Sequence, residues 1–90
     1  MDNFEAKFRK RLSNYSHVWN RDERILHLVE ELGELAEITL QYNGSKQPKK
    51  DINDVRVALA DILEDVFALS ILYQIKIDDL LAELIDEKSN

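Results

Sequence analysis

"VALADILEDVFALSILYQI", Val57 to Ile75, carries apolar residues on nearly every side of a helix that turns about 100° per residue. Neither glycine nor proline interrupts it. A helix apolar all round belongs inside a packed assembly. Yet Asp61, Glu64 and Asp65 stand within it, inside an arc of about 100°. Val57, Ala58, Ala68 and Leu72 share that arc above and below them. An ionised carboxylate buried without a counter-charge is very costly, so these side chains need a cation.

Upstream, "DINDV" offers Asp51 or Asn53 as the helix cap, and "YNGSKQPKK" before it, with Asn43-Gly44 and Pro48, is a stop. A second long helix is expected from about Asn20 or Arg21 to Tyr42, and the third is expected to end near Ile75. A shorter first helix, roughly Asp2 to Leu12, places Phe4, Phe8 and Leu12 on one side, and "SNYSHVW" ends it with turn residues. Asp78 reads as the cap of a short last helix, "DLLAELIDEK". With two glycines and one proline the chain has few turns to offer a sheet. The expected fold is all-α: a four-helix-type bundle in one domain, residues 1–90, built on two long antiparallel helices with shorter flanking ones. "VFALSILY" is too apolar for so short a chain to cover alone, so a second copy is expected to complete the bundle.

The second helix contains "HLVEELGELAE", His27 to Glu37. Ile25, Leu28, Val29, Leu32 and Ala36 gather on one side, and Glu23, Glu30 and Glu37 lie far from them. Glu31 sits on the flank beside Leu28, Leu35 and Ile38, and Glu34 about 60° further round, near Ile38 and His27. Like charges one turn apart repel, and Gly33 between them costs roughly 1 kcal/mol relative to alanine. Gly33 would let a backbone or ligand come close.

Antiparallel packing would turn Glu31 and Glu34 toward the same cleft as Asp61, Glu64 and Asp65. The nearest basic residues in sequence, His27 and Lys76, are too few to neutralise them all. Mg²⁺ or Mn²⁺ suits carboxylate oxygens and keeps positions open for phosphates. A carboxylate not fully engaged by such an ion could orient or deprotonate an attacking water. Zinc is disfavoured, because no cysteine exists and His17 and His27 make no spaced pair within the acidic motifs. A di-iron bundle would want Glu-x-x-His, which is absent.

The net charge of −6 and pI near 4.8 argue against direct nucleic-acid binding, but not against a phosphate substrate carried with a divalent cation. Without a charged-then-apolar leader or about 18 uncharged apolar residues in a row, the expectation is a soluble, cytoplasmic protein with no membrane partner.

"EELGELAE", followed at a distance by an acidic pair, resembles the MazG-like all-α nucleoside triphosphate pyrophosphohydrolases. That family's pattern is E-x-x-E on one helix and E-x-x-D on the next. Glu31-x-x-Glu34 matches the first half, and the likeness spans roughly Trp19 to Asp78, including "IKIDDLLAEL". The second half departs. "DILED" gives Asp61-x-x-Glu64 reversed or Asp61-x-x-x-Asp65 wider, and a frame with Asp61 as the family's Asp puts Ala58 where its Glu belongs.

The resemblance implies hydrolysis between the α and β phosphates by a homodimer or dimer of dimers. Glu31 and Glu34 would be catalytic and, with Asp61, Glu64 and Asp65, would hold Mg²⁺ or Mn²⁺. Candidate substrate contacts are Trp19, for a base, and Arg21, Arg24, Lys46, Lys49 and Lys50, for phosphates, with Lys88 and Asn90 as terminal polar groups. The plainer role for Trp19 is packing; His17 and His27 read as ordinary half-exposed residues, and the tyrosines as packing residues. The alternative function is a non-catalytic helical dimerisation or regulatory module that keeps the fold with a degenerate metal site.

Overall fold

A computed structural model describes residues 4–86, and the chain is all-α there: α1 Phe4–Ser13, α2 Arg21–Tyr42, α3 Ile52–Leu72 and α4 Ile77–Asp86, with no strand among the described residues. The starts of α2 and α3 are each fixed by a capping box. The Asn20 side chain accepts the Glu23 N–H at 2.8 Å, and the Glu23 carboxylate accepts the Asn20 N–H at 3.0 Å. Asp51 does the same for α3, receiving the Asn53 and Asp54 N–H groups while Asp54 returns the bond. Beyond α2 the chain turns through Gly44, whose φ of 89° suits glycine.

Two boundaries differ from expectation. Helix α3 stops at Leu72, not near Ile75, because Gln74 enters the left-handed region (φ 62°). The Ile75 N–H then bonds the Ser70 carbonyl at 2.8 Å, and the Ser70 hydroxyl donates to the Ile75 carbonyl. Helix α4 starts at Ile77, one residue before the expected Asp78 cap, because its cap comes from another helix: the Ile77 N–H donates to the Glu5 carboxylate at 2.8 Å.

Helices α2 and α3 are antiparallel, since Arg24 early in α2 meets Asp65 late in α3, and the Gln41 carbonyl at the far end accepts the Lys50 N–H. Helices α1 and α4 lie against the second half of α3. Phe8, Ala68 and Ile77 form the buried centre, with Phe4, Leu12, Phe67, Ile71 and Leu81 around it. Phe4 and Phe8 both meet Phe67 edge-on, at 5.4 and 5.8 Å between ring centres.

The face of α2 turned toward α3 is not its most apolar one. Arg24, Glu31 and Gln41 are its buried residues. Ile25, Val29, Leu32 and Leu40 are instead 42%, 59%, 49% and 45% exposed. On α3, Ile52, Leu59 and Leu63 are exposed as well. At about 100° per residue these open faces lie on the same side of the hairpin, away from the Phe67, Ala68 and Ile71 side that carries α1 and α4.

The Glu5 cap gives a pH signature. The bond from Ile77 holds the Glu5 carboxyl below its ordinary range, against a smaller opposing effect of burial. A carboxylate with a depressed folded pKa stabilises above the unfolded glutamate pKa, and that contribution disappears as pH falls through the folded value. Thermal melts between pH 7 and 3 are therefore expected to show Glu5→Ala starting lower than wild type and losing less on acidification. Equal pH slopes would remove this role.

Candidate functional site

Between the α1–α2 connection and the α2–α3 seam lies an open cleft of about 620 Å³. Trp19, Arg24, His27, Glu31, Asp61 and Glu64 line it, with residues 14–17 at its rim. Arg24, His27 and Glu31 reach it because spacings of three and four put them on one face of α2. Asp61, Glu64 and Asp65 come from the facing arc of α3.

Asp65, fully buried, anchors the group. It accepts from Arg24 Nη1 at 2.9 Å, and both its oxygens lie 2.9 Å from His27 Nδ1. The other ring nitrogen of His27, Nε2, lies 3.2 Å from Glu31 Oε2. The bond to Asp65 uses the ring's Nδ1–H, so His27 forms an ion pair with Glu31 only as the imidazolium. Burial opposes that charge, but the bond and charge of Asp65, with Glu31 behind them, outweigh it and raise the His27 pKa. The Trp19 ring packs 4.8 Å from the His27 ring, and the Arg24 guanidinium lies 4.7 Å over it.

Glu31 is 9% exposed, and its second oxygen, Oε1, is buried with no hydrogen-bond partner among the described residues. Burial raises its pKa, the charges of Glu34, Asp61 and Asp65 raise it further, and His27 only partly offsets them. Glu34, one turn on, is exposed and borders a shallow groove with Gly33, Pro48 and Lys50. No atom of the chain would crowd a Cβ at Gly33, so the close approach expected there is not made within the described chain.

Glu64 belongs to a different set of bonds. It accepts from the Tyr15 hydroxyl and from Arg11, tying the end of α1 to α3. Burial would raise its pKa, but these two donors lower it, while the bond to Glu64 raises that of Tyr15.

Of the expected carboxylates, then, Glu31, Asp61 and Glu64 line the cleft with Glu34 beside them, and Asp65 and Glu64 are engaged by cations of the chain. Of the two basic residues nearest in sequence, His27 is among those cations, and Arg24 and Arg11 join it where Lys76 does not. Among the described residues no three His or acidic side chains converge into a ready-made metal centre.

Of the substrate candidates only Trp19 and Arg24 meet in the cleft, and Arg24 is held there by Asp65. Trp19 lines the cleft. Arg21 lies 4.9 Å over the ring of Tyr73, at the C-cap of α3. Lys49 donates to the Tyr42 carbonyl at 2.7 Å, at the other end of a helix about 30 Å long. Lys46 pairs with Glu37 at 3.3 Å. Lys88 and Asn90 lie outside the described residues.

The fold and cleft define a class: an antiparallel helical hairpin carrying an acidic cleft with a cationic wall. Comparison with protein-family models, curated proteins and solved structures gives no match. No described helix is long and apolar enough to cross a membrane.

Proposed function

We propose that the chain is a divalent-metal-dependent nucleoside triphosphate pyrophosphohydrolase, which adds water between the α and β phosphates to release a monophosphate and pyrophosphate. The observation that carries this reading is Glu31 Oε1, a buried carboxylate oxygen without a hydrogen-bond partner among the described residues, beside Glu34, Asp61 and Asp65. Glu31, Glu34, Asp61 and Asp65 outnumber Arg24 and His27 by two charges, the charge of one divalent cation. The donors are all carboxylate oxygens, which fits Mg²⁺ or Mn²⁺.

In this reading Glu31, Glu34 and Asp61, which do not converge without the ion, would close around it, and Asp65 and Glu64 would keep their structural partners. Bound there, such an ion would neutralise phosphate charge and make the phosphorus easier to attack. Glu34, exposed and one turn from Glu31, is the carboxylate best able to accept a proton from water. Trp19, stacked beside the cationic wall, offers an aromatic surface to a base. A second copy packed on the open faces of α2 and α3 would complete a four-helix bundle and cover Leu32, Leu59 and Leu63.

The test incubates the purified chain with a panel of nucleoside triphosphates and Mg²⁺ or Mn²⁺, following pyrophosphate release. Turnover is expected only with metal, and Glu34→Gln is expected to lower it about 100-fold or more. Light scattering on the same sample is expected to exceed the mass of one chain, and the monomer mass would exclude the second copy.

The engagement of Asp65 and Glu64 by the chain's own cations favours a second reading, the non-catalytic dimerisation or regulatory module. No turnover, together with no thermal stabilisation by metal, would decide for it.

A further inference from the structure

We propose that the apolar cavity adjoining the cleft is the base pocket of the substrate, and that it selects a two-ring, purine-type base. The inference rests on the proposed function and deepens it by naming the class of nucleotide.

This second cavity, of about 250 Å³, lies between the end of α1, the α1–α2 connection and the last turns of α3. Leu12, Val18, Trp19, Ala68, Ile71 and Leu72 give it apolar walls. It continues the acidic cleft, since Tyr15, His17, Trp19 and Arg24 line both. One ligand can therefore hold a charged end beside Glu31 and Asp61 and an apolar end past Trp19. That division matches a nucleotide, whose phosphates travel with a cation and whose base seeks an aromatic face.

Charge argues against the reverse placement. The basic residues on the cavity wall, Arg9, His17 and Arg24, each already face a carboxylate, of Glu5, Glu23 and Asp65 respectively. What the wall does offer is one neutral-ligand donor. Arg24 is 8% exposed, and its Nε is buried without a hydrogen-bond partner among the described residues. Only a group enclosed with it can satisfy that N–H, and leaving such a donor unmade is costly. The edge of a nucleobase carries acceptors of this kind, whereas a plain hydrocarbon has none.

Size points to the larger bases. A cavity of about 150 Å³ walled by aliphatic side chains holds one benzene ring. At the same space per non-hydrogen atom, 250 Å³ holds about ten. Adenine has that number. A single-ring base has fewer and would leave part of the apolar wall uncovered.

The test uses nucleosides, which carry no phosphate and need no metal. Adenosine, inosine, cytidine and uridine are titrated into the full chain, and Trp19, the only tryptophan, reports binding by fluorescence. Two variants run in parallel, with thermal midpoints recorded. Leu72→Phe fills the cavity from a half-buried position outside the cluster of Phe8, Ala68 and Ile77. Arg24→Lys keeps a cation for Asp65 but has no Nε donor. The same bases are then offered as triphosphates with Mg²⁺, and pyrophosphate release is followed.

Wild type is expected to bind the purine nucleosides about fivefold or more tighter than the pyrimidines. Each variant is expected to lose about tenfold in adenosine affinity, and Leu72→Phe to lose less for uridine, so that its purine preference shrinks. Equal affinity for all four nucleosides, a pyrimidine preference or no binding would overturn the inference. So would variants that keep wild-type adenosine affinity. Turnover of all triphosphates without base preference would overturn it while leaving the proposed function standing. Purine-selective binding without turnover would support the pocket and remove the proposed function.

Discussion

Glu31→Gln is expected to melt at a higher temperature than wild type in metal-free buffer, and to lose both metal-induced stabilisation and turnover. The two halves of this result have one cause. Glu31 is 9% exposed, and its raised pKa means that its charge is held less favourably in the folded chain than in the unfolded one. Burial contributes most, followed by the charges of Glu34 and Asp61. Glutamine keeps the shape, while the like-charge repulsion from Glu34 and Asp61 disappears. A gain of ~1 kcal/mol would appear as a rise of about 4–8 °C in a domain of this size.

A residue retained against stability in this way needs a role that only the charge fulfils. Mn²⁺ added to wild type is expected to raise the midpoint, by an amount set by the ratio of free metal to Kd, and to leave Glu31→Gln unmoved. Differential scanning fluorimetry with and without Mn²⁺ gives both halves in one experiment. A variant that melts lower than wild type, or that still gains from Mn²⁺, would show that Glu31 is a structural carboxylate already satisfied within the chain.

Much of the helical layout was readable in advance because its signals are local. Asn20 with Glu23, and Asp51 with Asp54, are capping pairs three residues apart, and they start α2 and α3 as expected. The start of α4 was not local. Its cap is Glu5, which is 72 residues away in sequence, so no neighbouring residue could announce it.

The site was legible in its acids and not in its bases. Asp61, Glu64 and Asp65 stand out because they interrupt an apolar arc. Arg24 and His27 looked ordinary on a charged helix, although their spacing from Glu31 already placed all three on one face. What was missing was the rotation of α2 against α3. Apolarity alone favours the side with Ile25, Leu32 and Val29. A buried Asp65 needs hydrogen-bonded counter-charges, and on α2 only the side with Arg24 and His27 supplies them. The charged requirement sets the rotation, and the apolar side is left open.

If that is correct, Asp65→Ala should be the most damaging single change in the chain. Asp65 has no exposed surface and serves two cations at once, Arg24 and His27. Removing it leaves a guanidinium that is 8% exposed with no acceptor, beside an imidazole stripped of its anchor. Arg24 already has one nitrogen, Nε, buried without a partner among the described residues, so it has little spare bonding to fall back on. Breaking a buried pair from one side costs about 3–5 kcal/mol. The whole stability of a domain this size is about 5–13 kcal/mol. The thermal midpoint is therefore expected to fall by at least ~12 °C, and the chain could be largely unfolded at 37 °C. Asp65→Asn retains one acceptor for Arg24 and is expected to lose less. The decisive comparison is the pair Arg24→Met with Asp65→Leu. Taking away Asp65 together with Arg24, its buried partner, removes the cost of burying that pair and leaves only the part-exposed His27, so the double variant is expected to melt well above Asp65→Ala despite carrying one more substitution. Trp19, the only tryptophan and stacked on Arg24, reports the same change through its fluorescence. A double variant no more stable than Asp65→Ala would mean that the Arg24–Asp65 pair does not set how α2 meets α3.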